Sequence, residues 1–282
     1  MGVRGRNLQG PAGQAEEDAD EPHWGTPQMT IRHALRRMLR TLGYDLSLFS
    51  PTEHPIARRA HLLKQAGVTV VLDVGANRGQ YGQELRELHY KGRIASFEPL
   101  AAAFVDLERR ASRDGKWQAY NCALGATSEK RALYVAGNSY SSSFLEMLPS
   151  HLSAAPASRY VGSEQVEVAT LDSMFYSLCS DEDVVYMKID TQGFEASVLE
   201  GAKASMDRLA MIQLEMSLRP LYKGEQLFAD WCEAFLHGGY QLVSLSPGFT
   251  DARSGELLQV DGVWRRPGWR APGLGVNTSL RR

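Results

Sequence analysis

The ten residues at 73–82 read Asp-Val-Gly-Ala-Asn-Arg-Gly-Gln-Tyr-Gly, and an acid, Glu98, stands 98 − 73 = 25 residues after the first of them. Glycine at 75 and 79 lets a backbone turn approach a ligand closely. The helix that such a turn opens offers unpaired N–H groups, which suit a carboxylate as well as a phosphate. Glu98, at the end of the next strand, is placed to accept hydrogen bonds from both hydroxyls of a ribose, and Pro99 stops that strand. A dinucleotide fingerprint requires Gly-x-Gly-x-x-Gly, and here Asn77 fills the place of the second glycine, which argues against a nicotinamide cofactor. S-adenosylmethionine, with a nucleoside at one end and an amino-acid carboxylate at the other, meets these demands. On this reading Asp73 orients the turn and receives the ligand's ammonium directly or through water. Gly75, Asn77, Gly79 and Tyr81 form the cradle and the start of its helix, while Asn121 and Ala123, ending the third strand, flank the adenine. A plain turn role is the alternative for Asn121.

Transfer of a methyl group from a sulfonium is an in-line displacement, so the enzyme mainly holds acceptor, methyl and sulfur collinear. A hydroxyl acceptor also needs somewhere to leave its proton. Asp190, ending the fourth strand, is the first choice of base, and Glu215, ending the fifth, is the second; Lys188 pairs with one of these acids. Glu195, in the first turn of the next helix, has a sufficient structural role there through the helix dipole. The chain after the fourth strand reads Ile189-Asp190-Thr191-Gln192-Gly193, without the Asn/Asp-Pro-Pro-aromatic run common among methyltransferases acting on amines. That favours oxygen over exocyclic nitrogen. Two acids at strand ends do not define a metal site, and His54, His61, His89 and His151 lack ligand spacing, so no metal is expected.

The segment Gly137-Asn138-Ser139-Tyr140-Ser141-Ser142-Ser143-Phe144 interrupts the regular alternation of elements and offers the mixture of hydroxyl, amide and aromatic groups that a carbohydrate demands. Asn138, Ser141, Ser142 and Ser143 are therefore expected at the rim of an acceptor pocket, with Tyr222 closing the opposite side. Against this stands the plainer reading of a flexible serine-rich loop.

The elements that must position these residues are legible as strand-sized apolar runs alternating with helix-periodic segments. Strands are expected at 68–74, 93–99, 117–123, 183–190, 211–216, 240–246 and 257–264, with β-like runs at 131–137 and 164–172 forming an inserted hairpin or flap. Helices are expected after the first two strands, from about 194 to 206, and along the face of Leu227, Phe228, Trp231 and Phe235. The loop PGFTDARSG is too short for a parallel crossover, so the last two strands pair antiparallel. The class is α/β, with a Rossmann-like sheet of about seven mostly parallel strands, a C-terminal antiparallel hairpin and N-terminal helices. A tail at 1–28, a helical segment at 29–66, a catalytic domain at 67–266 and a second tail at 267–282 complete the organisation.

Composition narrows the partners. A formal net charge of -2 shows no global basic excess, so nucleic acid is not the expected partner. Three widely spaced cysteines form neither a disulfide framework nor a zinc pattern and fit a reducing cytosol. No apolar run reaches the length of a membrane span or a signal-peptide core. Asn277-Thr278-Ser279 matches a glycosylation sequon, a chance match without a secretory signal. The helix at 31–42 sets Ile31, Leu35, Met38, Leu39 and Leu42 on one face and Arg32, Arg36, Arg37 and Arg40 on the other. Packing on the domain is preferred for it over weak contact with a membrane surface.

VLDVGANRGQYG, SFEP, NCALG, TLD before the fourth strand and above all KIDTQGFEASVLEG at 188–201 resemble the successive signatures of the FkbM family of methyltransferases, over about residues 55–265. The resemblance implies a class I fold and methyl transfer from S-adenosylmethionine to a hydroxyl, commonly on a sugar of a glycolipid or polysaccharide, or on a polyketide. The SYSSS and LQVDG runs resemble members of bacterial glycan pathways. Two other functions compete: a catalytically silent methyltransferase fold serving as a binding subunit, and a nucleotide-cofactor oxidoreductase.

Overall fold

The computed structural model describes residues 31–269, so the expected tail at 1–28, residues 270–282 and the sequon lie outside the described part. The chain divides into two units at Ser47/Leu48. In the first, helix α1 (Ile31–Thr41) is followed by Asp45, whose carboxylate takes ion pairs from Arg36 and Arg40. The second unit begins upstream of the boundary expected at 67, because helix α2 (Pro55–Ala66) belongs to it: Leu63 packs in one of its cores with Val71 and Leu85. Pro55 opens α2, where its missing N–H is not needed, and Gly67 ends it at φ 68.

Strand β1 (Val70–Val74) leads through the glycine turn to α3 (Gln80–Glu87), then β2 (Arg93–Phe97), α4 (Ala101–Ala111) and β3 (Trp117–Tyr120). A three-stranded sheet follows, in which the two-residue β4 (Ala123–Leu124) and the long β5 (Glu129–Ala136) flank β6 (Tyr160–Ala169). This is the expected flap, with α5 (Pro149–Ala154) in the connection. After α6 (Leu171–Leu178) come β7 (Val185–Ile189), α7 (Glu195–Glu200), β8 (Leu209–Ser217), α8 (Phe228–His237), β9 (Gln241–Pro247) and β10 (Gln259–Arg265).

The main sheet has the order β3-β2-β1-β7-β8-β10-β9, with β10 antiparallel to both neighbours. Seven strands in this order, reversed only at β10, make a class I methyltransferase sheet. Every residue of β1 and β7 is buried, as strands covered by helices on both faces must be. Alternation then sorts them: Val70, Leu72 and Val74 join one core, and Val71 joins the other with Leu107 and Trp117. The chain reverses between β1 and β7, so their carboxyl ends, and the loops that leave them, form the topological switch point where α/β sheets bind ligands.

Three elements differ from expectation. The third strand stops at Tyr120, and Ala123 pairs instead with Val168 in the second sheet, so Asn121 and Ala123 lie beyond its end. The helix expected from 194 to 206 ends at Glu200 because the Asp172 carboxylate captures the N–H groups of Ala204 and Ser205, which a continuing helix would bond internally. Gly201 also packs directly on Gly125: a Cβ there would lie 1.9 Å from the Gly125 carbonyl oxygen. Finally, Thr170 caps α6 by accepting from Ser173 N, turning into a helix a segment whose start reads as strand.

Candidate active site

Asp73, Lys188 and Gln213 are register partners on three adjacent strands, and Ser96 sits beside Asp73 on β2. The pleat therefore brings their side chains to one face as a polar row beneath the switch point. Asp73 is fully buried; Ser96 Oγ donates to it at 3.0 Å, and Trp117 Nε1 donates to Ser96 Oγ. Lys188 Nζ lies 3.4 Å from Asp73 and 3.5 Å from Asp190, and donates to the Gly75 carbonyl at 3.1 Å. Burial opposes the charge on Lys188, but Asp190 and Asp73 outweigh it and hold its pKa above the ordinary value. Burial likewise pushes the Asp73 carboxyl up, against the pull of Lys188. The expected pairing of Lys188 is thus present. Asp73 does not line the open space above the row, so its expected contact with a ligand ammonium is corrected to support of the turn from below.

The turn itself closes over this row. Gly75 has φ 74, Asn77 φ 47 and Gly79 φ 84, and Gly79 is the residue preceding α3. Gly75 and Ala76 both donate to the Phe97 carbonyl, and Asp190 N donates to the Val74 carbonyl, tying the turn to β2 and β7. Glu98 then grips it from the side: Oε2 accepts from Asn77 N at 2.8 Å and Oε1 from Leu100 N at 2.9 Å. Each of those oxygens retains a further acceptor site. Burial raises the Glu98 pKa to about 7, against the two backbone N–H groups. Asn121 uses its side-chain amide on the carbonyls of Glu98 and Pro99, which is the turn role, while Ala123 lines the cavity.

A cavity of about 220 Å³ lies above the switch point. Glu98, Pro99, Leu100, Ala123, Leu124 and Leu133 line one part of it, and Asp190, Gln192, Phe194 and Glu215 another, with Gly75 and Asn77 also on its wall. Gln192, which sequence reasoning passed over, organises the second part. Its Nε2 donates to Asp190 Oδ1 at 2.8 Å and Glu215 Oε2 at 2.7 Å, while its Oε1 accepts from Tyr222 OH at 2.7 Å. The phenol fixes which way the amide points, so one NH₂ group bridges two acids. Glu195 holds the preceding loop by accepting from Thr191 N, Thr191 Oγ1 and Gly193 N, beyond the helix-dipole role expected of it. Burial, with Asp190 and Asp261 nearby, keeps the Glu215 pKa well above the usual carboxylate range. The sequence signal for Gln192 was the Gln-Gly pair just past a strand end: Gln192 has φ 57 and Gly193 φ 93.

The serine-rich segment is built differently from its expected role. Asn138 bonds internally, donating to Ser141 Oγ and Ser158 Oγ and accepting from Tyr140 N and Ser141 N. Ser143 Oγ donates to the Gln192 carbonyl at 2.7 Å and accepts from Leu145 N. Asn138, Ser141 and Ser143 therefore fasten the loop, and of these expected rim residues Ser142 alone lines the cavity, beside Ser139, Tyr140 and Phe144. Tyr222 is fully buried and serves Gln192, so it does not face an acceptor. Each of these polar groups is needed by its neighbour once water is excluded. Ser143→Ala should accordingly destabilise the protein by about 1–2 kcal/mol, leaving the Gln192 carbonyl and Leu145 N–H short of partners. A denaturant midpoint equal to wild type would show that this fastening carries no energy.

Gly79 packs on Leu107 and Trp117, and Tyr81 OH donates to Tyr186 OH and Gln213 Oε1, so both lie outside the cavity wall. Among the described residues there is no group of three or more His, Cys, Asp or Glu side chains arranged to hold a metal, and no helix long and apolar enough to cross a membrane.

A family model described as the methyltransferase FkbM domain matches residues 73–242. The curated 2-O-methyltransferase NoeI of Sinorhizobium fredii (strain NBRC 101917 / NGR234) is 24% identical over 165 residues, covering 55% of this chain and 66% of the relative, slightly under two thirds of its length. Among solved structures, an rRNA methylase from Streptococcus thermophilus matches with TM-score 0.40 at 10% identity, over 76% of this chain and 96% of that one. Magnesium protoporphyrin IX methyltransferase from Synechocystis PCC 6803, with bound SAM, matches with TM-score 0.38 at 10% identity, over 86% and 87%.

Proposed function

Because this chain belongs to the FkbM methyltransferase family, we propose that it moves a methyl group from S-adenosylmethionine to a hydroxyl oxygen, carried by a sugar of a glycolipid, polysaccharide or related metabolite. The observation that carries the reading is the single cavity that has Glu98 among apolar side chains in one part and the Gln192-bridged pair Asp190 and Glu215 in another. The residues fit such a donor. Leu100, Ala123, Leu124 and Leu133 offer apolar surface to a base, and Glu98 has acceptor sites left for two ribose hydroxyls. The name of the curated relative, a 2-O-methyltransferase, supports oxygen as acceptor.

When bound, the donor supplies an electrophilic methyl on a sulfonium. Asp190 then accepts the proton that the acceptor hydroxyl releases as its oxygen takes the methyl and the carbon–sulfur bond breaks. Asp190 is the better placed acid: its side chain is 37% exposed and faces the cavity, whereas burial and neighbouring acids favour a proton already on Glu215. Gln192 and Lys188 hold the Asp190 carboxylate from two sides, which fixes its direction without consuming both lone pairs of either oxygen. Ser142 and Tyr140, at the cavity wall, present a hydroxyl and a half-open aromatic face to the acceptor.

Calorimetric titration with S-adenosylhomocysteine and NAD tests the donor assignment. Wild type should bind the former and ignore the latter, and Glu98→Ala should weaken the binding by about 1–3 kcal/mol as the diol loses its acceptor. Affinity should also fall as the pH drops below about 7, where Glu98 takes up its proton. Tight NAD binding without S-adenosylhomocysteine binding overturns the proposal; unchanged affinity in a folded Glu98 variant overturns the role of that acid.

A further inference from the structure

On the other side of the glycine turn, a recess of about 300 Å³ lies between α2, α3 and the strands β7, β8 and β10. It shares Gly75, Asn77, Tyr140 and Asp190 with the cavity, so the two spaces adjoin at the turn. Its lining is polar and of both signs. Arg59 comes from α2, lies over the Tyr81 ring at 4.7 Å and pairs with Glu84, and its buried Nε makes no hydrogen bond. Asp261 comes from β10, where Gln213 Nε2 donates to its Oδ1 at 3.1 Å, leaving Oδ2 uncommitted. Tyr81 OH and Tyr186 OH both donate to Gln213 Oε1. That fixes the Gln213 amide with its NH₂ toward Asp261.

We infer that this recess takes the zwitterionic α-amino-acid end of the donor, with its carboxylate on the Arg59 guanidinium and its ammonium on Asp261. The inference rests on the donor proposed above. A nucleoside seated against Glu98 can send its amino-acid chain past Gly75, and the turn separates the cavity from the recess at that residue. Asp73, the acid that the sequence offered to the ammonium, is fully buried beneath Lys188, so the charge must be met elsewhere. Asp261 and Arg59 are the opposite charges that the fold leaves facing the recess with donor or acceptor capacity unspent. An uncharged polyol would call for no such separation of signs, and a buried cation and anion held apart by a fixed network are complementary to a zwitterion.

The test compares two nucleosides on the full chain: S-adenosylhomocysteine, which has the amino-acid end, and 5′-methylthioadenosine, which lacks it. Wild type should bind the first at least roughly tenfold more tightly, as charge-assisted hydrogen bonds imply. Arg59→Gln and Asp261→Asn should each remove most of that difference while changing 5′-methylthioadenosine affinity less than about twofold, since neither touches the nucleoside. The second variant keeps shape and backbone, so it stands if the first fails to fold. Equal losses for both ligands, or no loss for S-adenosylhomocysteine, overturn the inference. A raised acceptor KM with donor affinity unchanged gives the recess to the acceptor and overturns it too. If wild type binds 5′-methylthioadenosine as tightly as S-adenosylhomocysteine, the inference fails while the donor reading survives. If wild type binds neither, the donor reading itself fails.

Discussion

Gly75→Ala is expected to abolish S-adenosylhomocysteine binding and to lower stability by about 3 kcal/mol or more, since it combines a strained backbone with a backbone collision. Gly75 has φ 74, and a Cβ on it would stand 1.9 Å from the Asp190 carbonyl oxygen and 2.9 Å from its carbonyl carbon. The obstacle is main chain, which has no rotamer to move aside. Relief requires pulling the turn away from the end of β7, against the bonds from Asp190 N to the Val74 carbonyl and from Gly75 N to the Phe97 carbonyl. Those bonds position Asp190, the Lys188 contact with the Gly75 carbonyl and the wall of the cavity together. Gly115 supplies the control: its Cβ would meet nothing within 4 Å, so Gly115→Ala should stay within about 0.5 kcal/mol of wild type. Chemical denaturation and calorimetry on both variants check the pair. Wild-type affinity in a folded Gly75 variant would show that the close approach is dispensable.

Asp190→Asn should lower kcat by about 10²–10⁴-fold, the range that loss of a positioned proton acceptor produces, while S-adenosylhomocysteine affinity changes by only a few-fold. The amide keeps the shape of the carboxylate but cannot take the proton. It also disturbs Gln192 in a definite way: Gln192 Nε2 now donates to Asp190 Oδ1, and an asparagine can still offer its carbonyl oxygen there. The bridge to Glu215 and the bond from Tyr222 therefore survive, and the variant should fold. Single-turnover measurement with a sugar acceptor separates the chemical step from product release. Near-wild-type turnover in this variant, with loss in Glu215→Gln, would move the base to Glu215 and reverse the assignment made from their exposure.

How far the site was readable follows the range of the interactions involved. Glu98 was legible because its place at a strand end, 25 residues after Asp73, already implies a βαβ unit, and the structure seats it on the cavity wall. The flap was legible from a break in the alternation at 131–172, and the final hairpin from a loop too short to cross over. Helix α6 was not, since eight residues with a strand-like start carry too little period to separate from β structure. The end of α7 was not legible either, because the residue that stops it, Asp172, lies on another element.

By itself the sequence determined the α/β class, the seven strands of the main sheet with their reversed last pair, the glycine turn and the acids at the strand ends. Each depends on local chemistry: which residues tolerate a positive φ, which pattern suits a pleat, which loop length permits a crossover. The tertiary structure decided where each polar side chain spends its hydrogen bonds. Asp73 is turned from ligand to support by Lys188 and Ser96 on neighbouring strands. Ser141 and Asn138 are turned inward by Ser158, and Tyr222 is buried against Gln192, while Arg59 and Asp261, which the sequence left unremarked, face an open recess together. A buried polar group must find a partner, and the partner is chosen by strand order and register, which join residues more than a hundred positions apart, such as Asp73 and Lys188.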